Sequence, residues 1–425
     1  MPSFIDLFAG CGGLSLGLTN AGFACRFAIE SHPDAFATYR RNLIEGAAGS
    51  HDWPEWLEIA PHDVVSLATE RRSHLASLRG TVDLIAGGPP CQGFSTNGRR
   101  NPDDPRSRMV EAYLDIVELV QPSLVLIENV RGFTSMPHSS GGSYADAVKQ
   151  KLADLGYDAW ADVLMAADFG VPQRRPRYIC IAARKGSLPG IDPISRVRTA
   201  RHKFLRSKGL VAPITAAEAI SDLALNGRLP RPDPEWGTRG FAAVARSDET
   251  ELSHYQRLMR KKCAGQPSDR RIPRHSETTA QRMRQILDTC AAGHNITPAD
   301  RRRLGIGKRA TTPLDAHAPA PTVTTLPDDL IHYSEPRTMS VRELARLQSF
   351  PDWFSFEGPY TSGGPRRQIA CPRYTQVGNA VPPLLAEAIG ETLLGLLREQ
   401  KLAEQPDVPL LREKIGSVTL KVRAG

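Results

Sequence analysis

Two hydrophobic rhythms alternate over the first 185 residues. Short apolar runs at 3 to 8, 24 to 30, 82 to 86, 123 to 128 and 177 to 183 predict strands. Between them, "MVEAYLDIVELV" and "YADAVKQKLADL" space apolar residues three and four apart, as amphipathic helices packed on a sheet do. Strands alternating with helices predict an α/β fold, a Rossmann-like doubly wound sheet. Beyond Lys185 the periodicity fades into Pro, Gly and Arg-rich segments such as "NGRLPRPDPEWGTRG", which predicts a second, smaller domain, mostly irregular or β. Order returns with "SVRELARLQSF" and with "PPLLAEAIGETLLGLL", an apolar helix that needs a sheet to cover. The expected division is 1–185, completed by 370–400, around a domain at 186–369, with a short tail at 401–425.

Length and composition add bounds. A chain of 425 residues exceeds the usual reach of one hydrophobic core, in keeping with two domains. No run approaches the roughly 20 uninterrupted apolar residues that span a bilayer, and no basic region precedes the N-terminal apolar run. A cytoplasmic protein without membrane contact is expected. Cysteines at 11, 25, 91, 180, 263, 290 and 371 form no CxxC pair or metal-ligand cluster, so neither a disulfide framework nor a zinc site is indicated. The net charge of +8 is localised: residues 186 to 336 hold 24 Lys and Arg against 16 Asp and Glu, and the remainder balances at 30 against 30. That block, with "RRR" at 301 to 303, predicts a phosphate-binding surface or a solvated basic face.

Two loops after predicted strands carry candidate chemistry. In "DLFAGCGGLSLGL", Gly10, Gly12 and Gly13 allow a tight turn and close approach to a ligand, and Glu30 ends the next strand, where an acid can accept hydrogen bonds from ribose hydroxyls. The pair predicts a nucleoside cofactor, NAD as readily as any other. Asp63 in "PHDVV" is either a carboxylate for an adenine amino group or a helix cap. In "DLIAGGPPCQGFS", Pro89 and Pro90 stiffen the chain arriving at Cys91, which aims the thiol; a buried structural cysteine is the plainer reading.

The motifs, in order, resemble those of the DNA (cytosine-5) methyltransferase family: "DLFAGCGG", "GGPPCQGFS", "ENV" at 128 to 130, "QRRPR" at 173 to 177, "RELARLQSFP" at 342 to 351 and "QVGNAVPP" at 376 to 383. The resemblance implies S-adenosylmethionine as cofactor, duplex DNA as substrate, and a monomer that can belong with a cognate restriction endonuclease. It makes the basic block the target-recognition region, Cys91 the nucleophile and Glu128 the acid beside it. It places Arg177 and Arg175 near a flipped base, with Arg177 on the cytosine carbonyl oxygen. Phe8, Gly10, Gly12, Gly13, Glu30, Asp63, Pro89, Asn379 and Val381 would line the cofactor site; Gln92, Ser95 and Arg106 would hold the nucleic acid. Ser31 and Met109 depart from the family pattern without touching the chemistry.

That chemistry accounts for the residue types. Carbon 5 of cytosine is a poor nucleophile, and a thiolate adding to carbon 6 turns the ring into an enamine nucleophilic at carbon 5. Charge building on the ring calls for a proton at nitrogen 3, hence a carboxylic acid held protonated near neutral pH. The apolar run "SLVLI" delivers Glu128 to the sheet edge beside the Cys91 loop. The competing functions are a tRNA cytosine-5 methyltransferase, a non-catalytic DNA-binding paralogue and an NAD oxidoreductase. The large recognition segment and "CQGFS" oppose the first, the intact motifs the second, and "QRRPR" and "GNAVPP" the third.

Overall fold

The structure, a computed structural model, describes residues 1–46, 51–90, 107–138, 141–225, 241–243, 251–361 and 369–403. Its centre is a six-stranded sheet of β1 (Ser3–Leu7), β2 (Ala24–Ile29), β3 (Leu84–Gly87), β4 (Leu124–Val130), β5 (Tyr157–Met165) and β6 (Pro176–Arg184), in the order β2-β1-β3-β4-β6-β5. The first four run parallel, and β6 is antiparallel to both its neighbours. The five expected strands are present with ends shifted by a residue or two. The sixth, β5, lies at the sheet edge; its mixed "YDAWADVLM" is half-buried and lacks a clean apolar run.

Helices follow as α1 (Gly13–Ala21), α2 (Pro33–Tyr39), α3 (Val64–Glu70), α4 (Arg72–Ser77), α5 (Ser107–Val120) and α6 (Tyr144–Asp154). Alternation along each strand divides the core in two. Ile5, Leu7, Ile85, Val125 and Ile127 face α3 to α6. Phe4, Leu84, Ala86, Leu124 and Leu126 face α1 together with later helices.

Those later helices are α7 (Pro193–Ser207), α8 (Ala216–Ile220), α9 (His254–Arg260), α10 (Glu277–Thr289), α11 (Pro298–Arg303), α12 (Val341–Leu347), α13 (Arg373–Asn379) and α14 (Pro383–Ala403). The span 186–369 is thus more helical than its composition suggests. Side-chain caps start α7 to α12: Asp192, Thr215, Ser253, Ser276, Thr297 and Ser340 each accept a backbone N–H of the first turn. Among the described residues the strands in this span are two short ribbons, β7 (Phe241–Ala243) with β8 (Arg271–Pro273) and β9 (Thr312–Pro313) with β10 (Leu330–Ile331). Apolar residues of α7, α8, α12 and α14 join α1 in one cluster over the sheet. Residues 373–401 are long and apolar enough to cross a membrane by composition, yet 78% of that apolar window is buried in the fold. Around α10 and α11 a smaller cluster forms from Ile286, Ile296, Leu304 and Ile331.

Candidate active site

The parallel strands end together, and the antiparallel pairing of β6 brings its first residues to the same edge, Arg177 lying beside Val130 in register. Loops from five strands therefore converge there, the usual place for a ligand in an open α/β sheet.

Past β1, Gly10 and Gly12 adopt left-handed conformations, and Gly13 opens α1. A Cβ on Gly13 would stand 2.2 Å from the carbonyl oxygen of Val381, so a bare α-carbon is what lets the 378–382 turn pack on this loop. Glu30, at the end of β2, accepts N–H bonds from Gly10 at 3.0 Å on one oxygen and from His32 at 2.7 Å on the other. Both oxygens keep acceptor capacity, which suits ribose hydroxyls. Burial raises the Glu30 carboxyl from its ordinary value, against those N–H bonds. Phe8 is half-buried, with φ of 63°, and Asn379 is exposed at the end of α13. Asp63 is exposed and caps α3 through the Ser66 N–H at 2.9 Å.

Glu128, 8% exposed, sits at the end of β4 with an oxygen 2.7 Å from Nε of Arg177. Burial pushes its carboxyl pKa up, while Arg177 and then Arg175 pull it down. Its other oxygen lies against the Cys91 loop: a Cβ on Gly88 would be 3.1 Å away. Pro89 is buried, and its carbonyl accepts a bond from Asn129 Nδ2 at 3.1 Å. Asn129 is thus the residue that pins the start of the loop, a role its motif did not disclose; the signal for it was a polar side chain in an otherwise apolar strand. Cys91, Gln92, Ser95 and Arg106 lie outside the described residues.

Arg175 is 1% exposed, and its guanidinium donates to the carbonyls of Val323, Gly378 and Ala380 and to Gln173 Oε1. Gln173 also takes the Val323 N–H and donates to Leu347 O and Gln348, while Gln348 donates to Val377 O. This buried polar mesh joins the motifs at 173–177, 342–351 and 376–383, remote in sequence, behind the site. Asp6 was likewise not anticipated. It is fully buried beneath α1, accepts a 2.5 Å bond from Ser15 Oγ, and burial raises its pKa to about 7. Since the α1 N-cap, Gly12, has no side chain to offer, Asp6 satisfies the first turn from the sheet.

The basic block divides. On α7, Arg196, Arg198 and Lys208 pair with Glu399, Asp162 and Glu387, and Arg260 is spent on buried Asp222. On and beside α10 and α11, Arg284, Arg302 and Arg309 are exposed, and Arg303 is exposed but paired with Asp300. Residues 277 to 311 hold seven Lys and Arg against three acids.

Comparison with known proteins accords with this geometry. A Type II methyltransferase of Xanthomonas oryzae pv. oryzae, M.XorII, is 31% identical over 94% of this chain and 86% of its own. Another, M.AgeI of Thalassovita gelatinovora, is 32% identical over 92% of this chain and 98% of its own. A crystal structure described as a DNA modification methyltransferase encoded within an E. coli prophage superposes with a TM-score of 0.64 at 25% identity, covering 94% of this chain and all of that one. The S. pombe Dnmt2 structure, at 16% identity and a TM-score of 0.51, shares the fold. The profile of the C-5 cytosine-specific DNA methylases matches residues 2–395, nearly the whole chain, and the protein belongs to that family.

Proposed function

We propose that this chain methylates carbon 5 of a cytosine flipped out of duplex DNA, through a covalent bond between Cys91 and carbon 6. The observation that carries the reading is Glu128, a buried carboxyl with a raised pKa, held by Arg177 against the Gly88–Pro89 entry to the Cys91 loop.

The glycine turn, Glu30, Phe8, Asp63, Pro89, Asn379 and Val381 would hold S-adenosylmethionine, and the open space beside Gly10, where a Cβ would meet nothing within 4 Å, and the two-point anchoring of Glu30 fit such a group. Bound there, it would supply the electrophilic methyl group. A base must leave the stack for a thiol to reach its ring face. The Cys91 thiolate adds to carbon 6 as Glu128 donates its proton to nitrogen 3, so charge does not build on the ring. Arg177, whose Nε is engaged by Glu128 and whose Nη1 donates to Pro176 O, offers Nη2 to the cytosine carbonyl oxygen. Arg175 acts from behind by holding the 378–380 turn. Once the methyl group is on carbon 5, water takes the carbon 5 proton, the carbon 6 bond breaks to return the thiolate, and nitrogen 3 gives its proton back to Glu128. Gln92, Ser95 and Arg106 hold the DNA backbone. The enzyme works as a cytoplasmic monomer, and a cognate restriction endonuclease fits its Type II relatives. Those relatives and the 186–336 block favour DNA over tRNA.

DNA with 5-fluorocytosine at the target blocks proton loss, so a denaturation-resistant adduct should form with S-adenosylmethionine, map to Cys91 and vanish in Cys91→Ser. Serine is far less readily ionised. An adduct at another cysteine, or one surviving in Cys91→Ser, would sink this mechanism.

A further inference from the structure

We infer that Arg174, a member of the "QRRPR" motif with no role in the chemistry above, is a positioning residue that sets the basic α10–α11 unit relative to the Glu128–Arg177 pair and thereby fixes target discrimination. The inference rests on the function proposed for the site.

Three observations converge on it. The unit at 277–311 has its own small apolar cluster, distinct from the core over the sheet, and carries seven Lys and Arg against three acids. A body with so small a core depends on its points of attachment for its placement. The backbone of Arg174 is held fast: its N–H donates to Ala320 O at 2.7 Å, Ala320 N–H donates to Pro172 O at 3.0 Å, and Thr322 Oγ1 donates to its carbonyl at 2.8 Å. From that anchored point the exposed side chain reaches across 119 positions of sequence, and Nη2 donates to the carbonyl oxygen of Gly293 at 3.1 Å.

Gly293 lies in the turn between α10 and α11. Its φ is +75°, its N–H donates to Pro313 O at 2.8 Å, and a Cβ there would stand 3.2 Å from the Asp315 side chain. The turn thus has little freedom to move away from the arginine. One residue further along the chain Arg175 grips the 378–380 turn, and three further on Arg177 holds Glu128. The path from the cationic unit to the reacting carboxyl is one side-chain hydrogen bond and three residues of strand entry. A charged donor on a carbonyl is among the stronger hydrogen bonds. Losing it frees the unit to sit in more than one place over the DNA while the chemistry stays intact.

The test uses the full-length enzyme, S-adenosylmethionine and a plasmid library of random sequence, read by bisulfite sequencing as relative rates at the target and at sequences one base pair away. In Arg174→Ala the ratio of target to near-target rates should fall about tenfold, the equivalent of one such bond. S-adenosylmethionine affinity, measured by calorimetry, should stay the same. Arg174→Lys should recover much of the ratio, because an ammonium can still donate to the Gly293 carbonyl. An unchanged ratio in Arg174→Ala overturns the inference. So does a salt slope of DNA binding reduced by about one with the ratio intact, which would make Arg174 a phosphate contact. A parent enzyme that methylates no cytosine would instead overturn the function proposed for the site, and this inference with it.

Discussion

At the ends of the parallel strands, Asp6 and Glu128 are buried carboxyls with few donors around them; beside and within α12, Glu343 is a buried carboxyl surrounded by donors. Asp6 takes its bonds from Ser15, and Glu128 is met by one Arg177 nitrogen. Glu343 accepts two bonds from Arg337, at 2.8 and 2.7 Å, and two more from Ser340. Next to it, Arg346 spans Asp352 and Asp222. Every residue of α12 is buried, charged ones included. Burial alone raises a carboxyl, and near Glu128 it prevails; around Glu343 the cation and the hydrogen bonds outweigh it and hold the pKa down to about 2. In one region burial lifts the carboxyl above its ordinary value, and in the other the surrounding donors hold it below. Donor count, and not depth, separates them.

The sharpest way to break this contrast is at Glu128. Glu128→Gln should keep cofactor binding but slow methyl transfer by about 10² to 10⁴, since an amide has no acidic proton to give. Single-turnover methylation of duplex DNA measures it, and a rate within about twofold of the parent would remove Glu128 from the proton transfer.

In the α12 region the cost should fall on stability. Arg346→Ala removes the cation that grips buried Asp352 through two nitrogens and one of the two arginines on Asp222, and removing one partner of a buried pair costs about 3–5 kcal/mol. Urea denaturation followed by circular dichroism would show it as a lower midpoint. A midpoint equal to the parent's would mean the buried pairs contribute little.

Smallest, and opposite in sign between the two regions, are the pH effects. Asp6 has a folded pKa near 7 against an ordinary 3.8, so the folded protein keeps a proton that the unfolded chain has released. Stability should therefore fall as pH rises from about 4 to about 7, by at most about 1.4 kcal/mol per unit. Glu343 is depressed to about 2 from an ordinary 4.5, so its contribution is present above 4.5 and is lost as pH falls towards 2. Asp6→Asn should flatten the slope between 4 and 7 and leave the acid-side loss in place. Denaturation midpoints across pH 3 to 8 test both arms, and an unchanged slope in Asp6→Asn would mean that another group carries it.

Much of the fold and the family were legible in the order of residues. Strand alternation, the spacing of helical apolar positions and loops such as "GGPPCQGFS" are local patterns, and local sterics and burial enforce them without reference to distant chain. The place of Glu128 at the sheet edge was legible too, because an apolar strand can lead to only one edge of a parallel sheet.

What the tertiary structure decided was partnership. Nothing near Arg175 in sequence announces that its donors are spent on Val323, Gly378 and Ala380, or near Asp6 that it serves the first turn of α1. The +8 excess is a sum over the chain, but which arginines face solvent and which vanish into pairs with buried Asp222 depends on what packs beside each one. The half-buried β5 and the capped helices of 186–369 escaped for the same reason, since neighbours supply the burial that a short or mixed segment cannot signal alone. Amino-acid order determines the types of group a protein carries and the faces they occupy. Their charge states and hydrogen-bond partners are set by desolvation and by donors hundreds of positions away, and those exist only once the chain has folded.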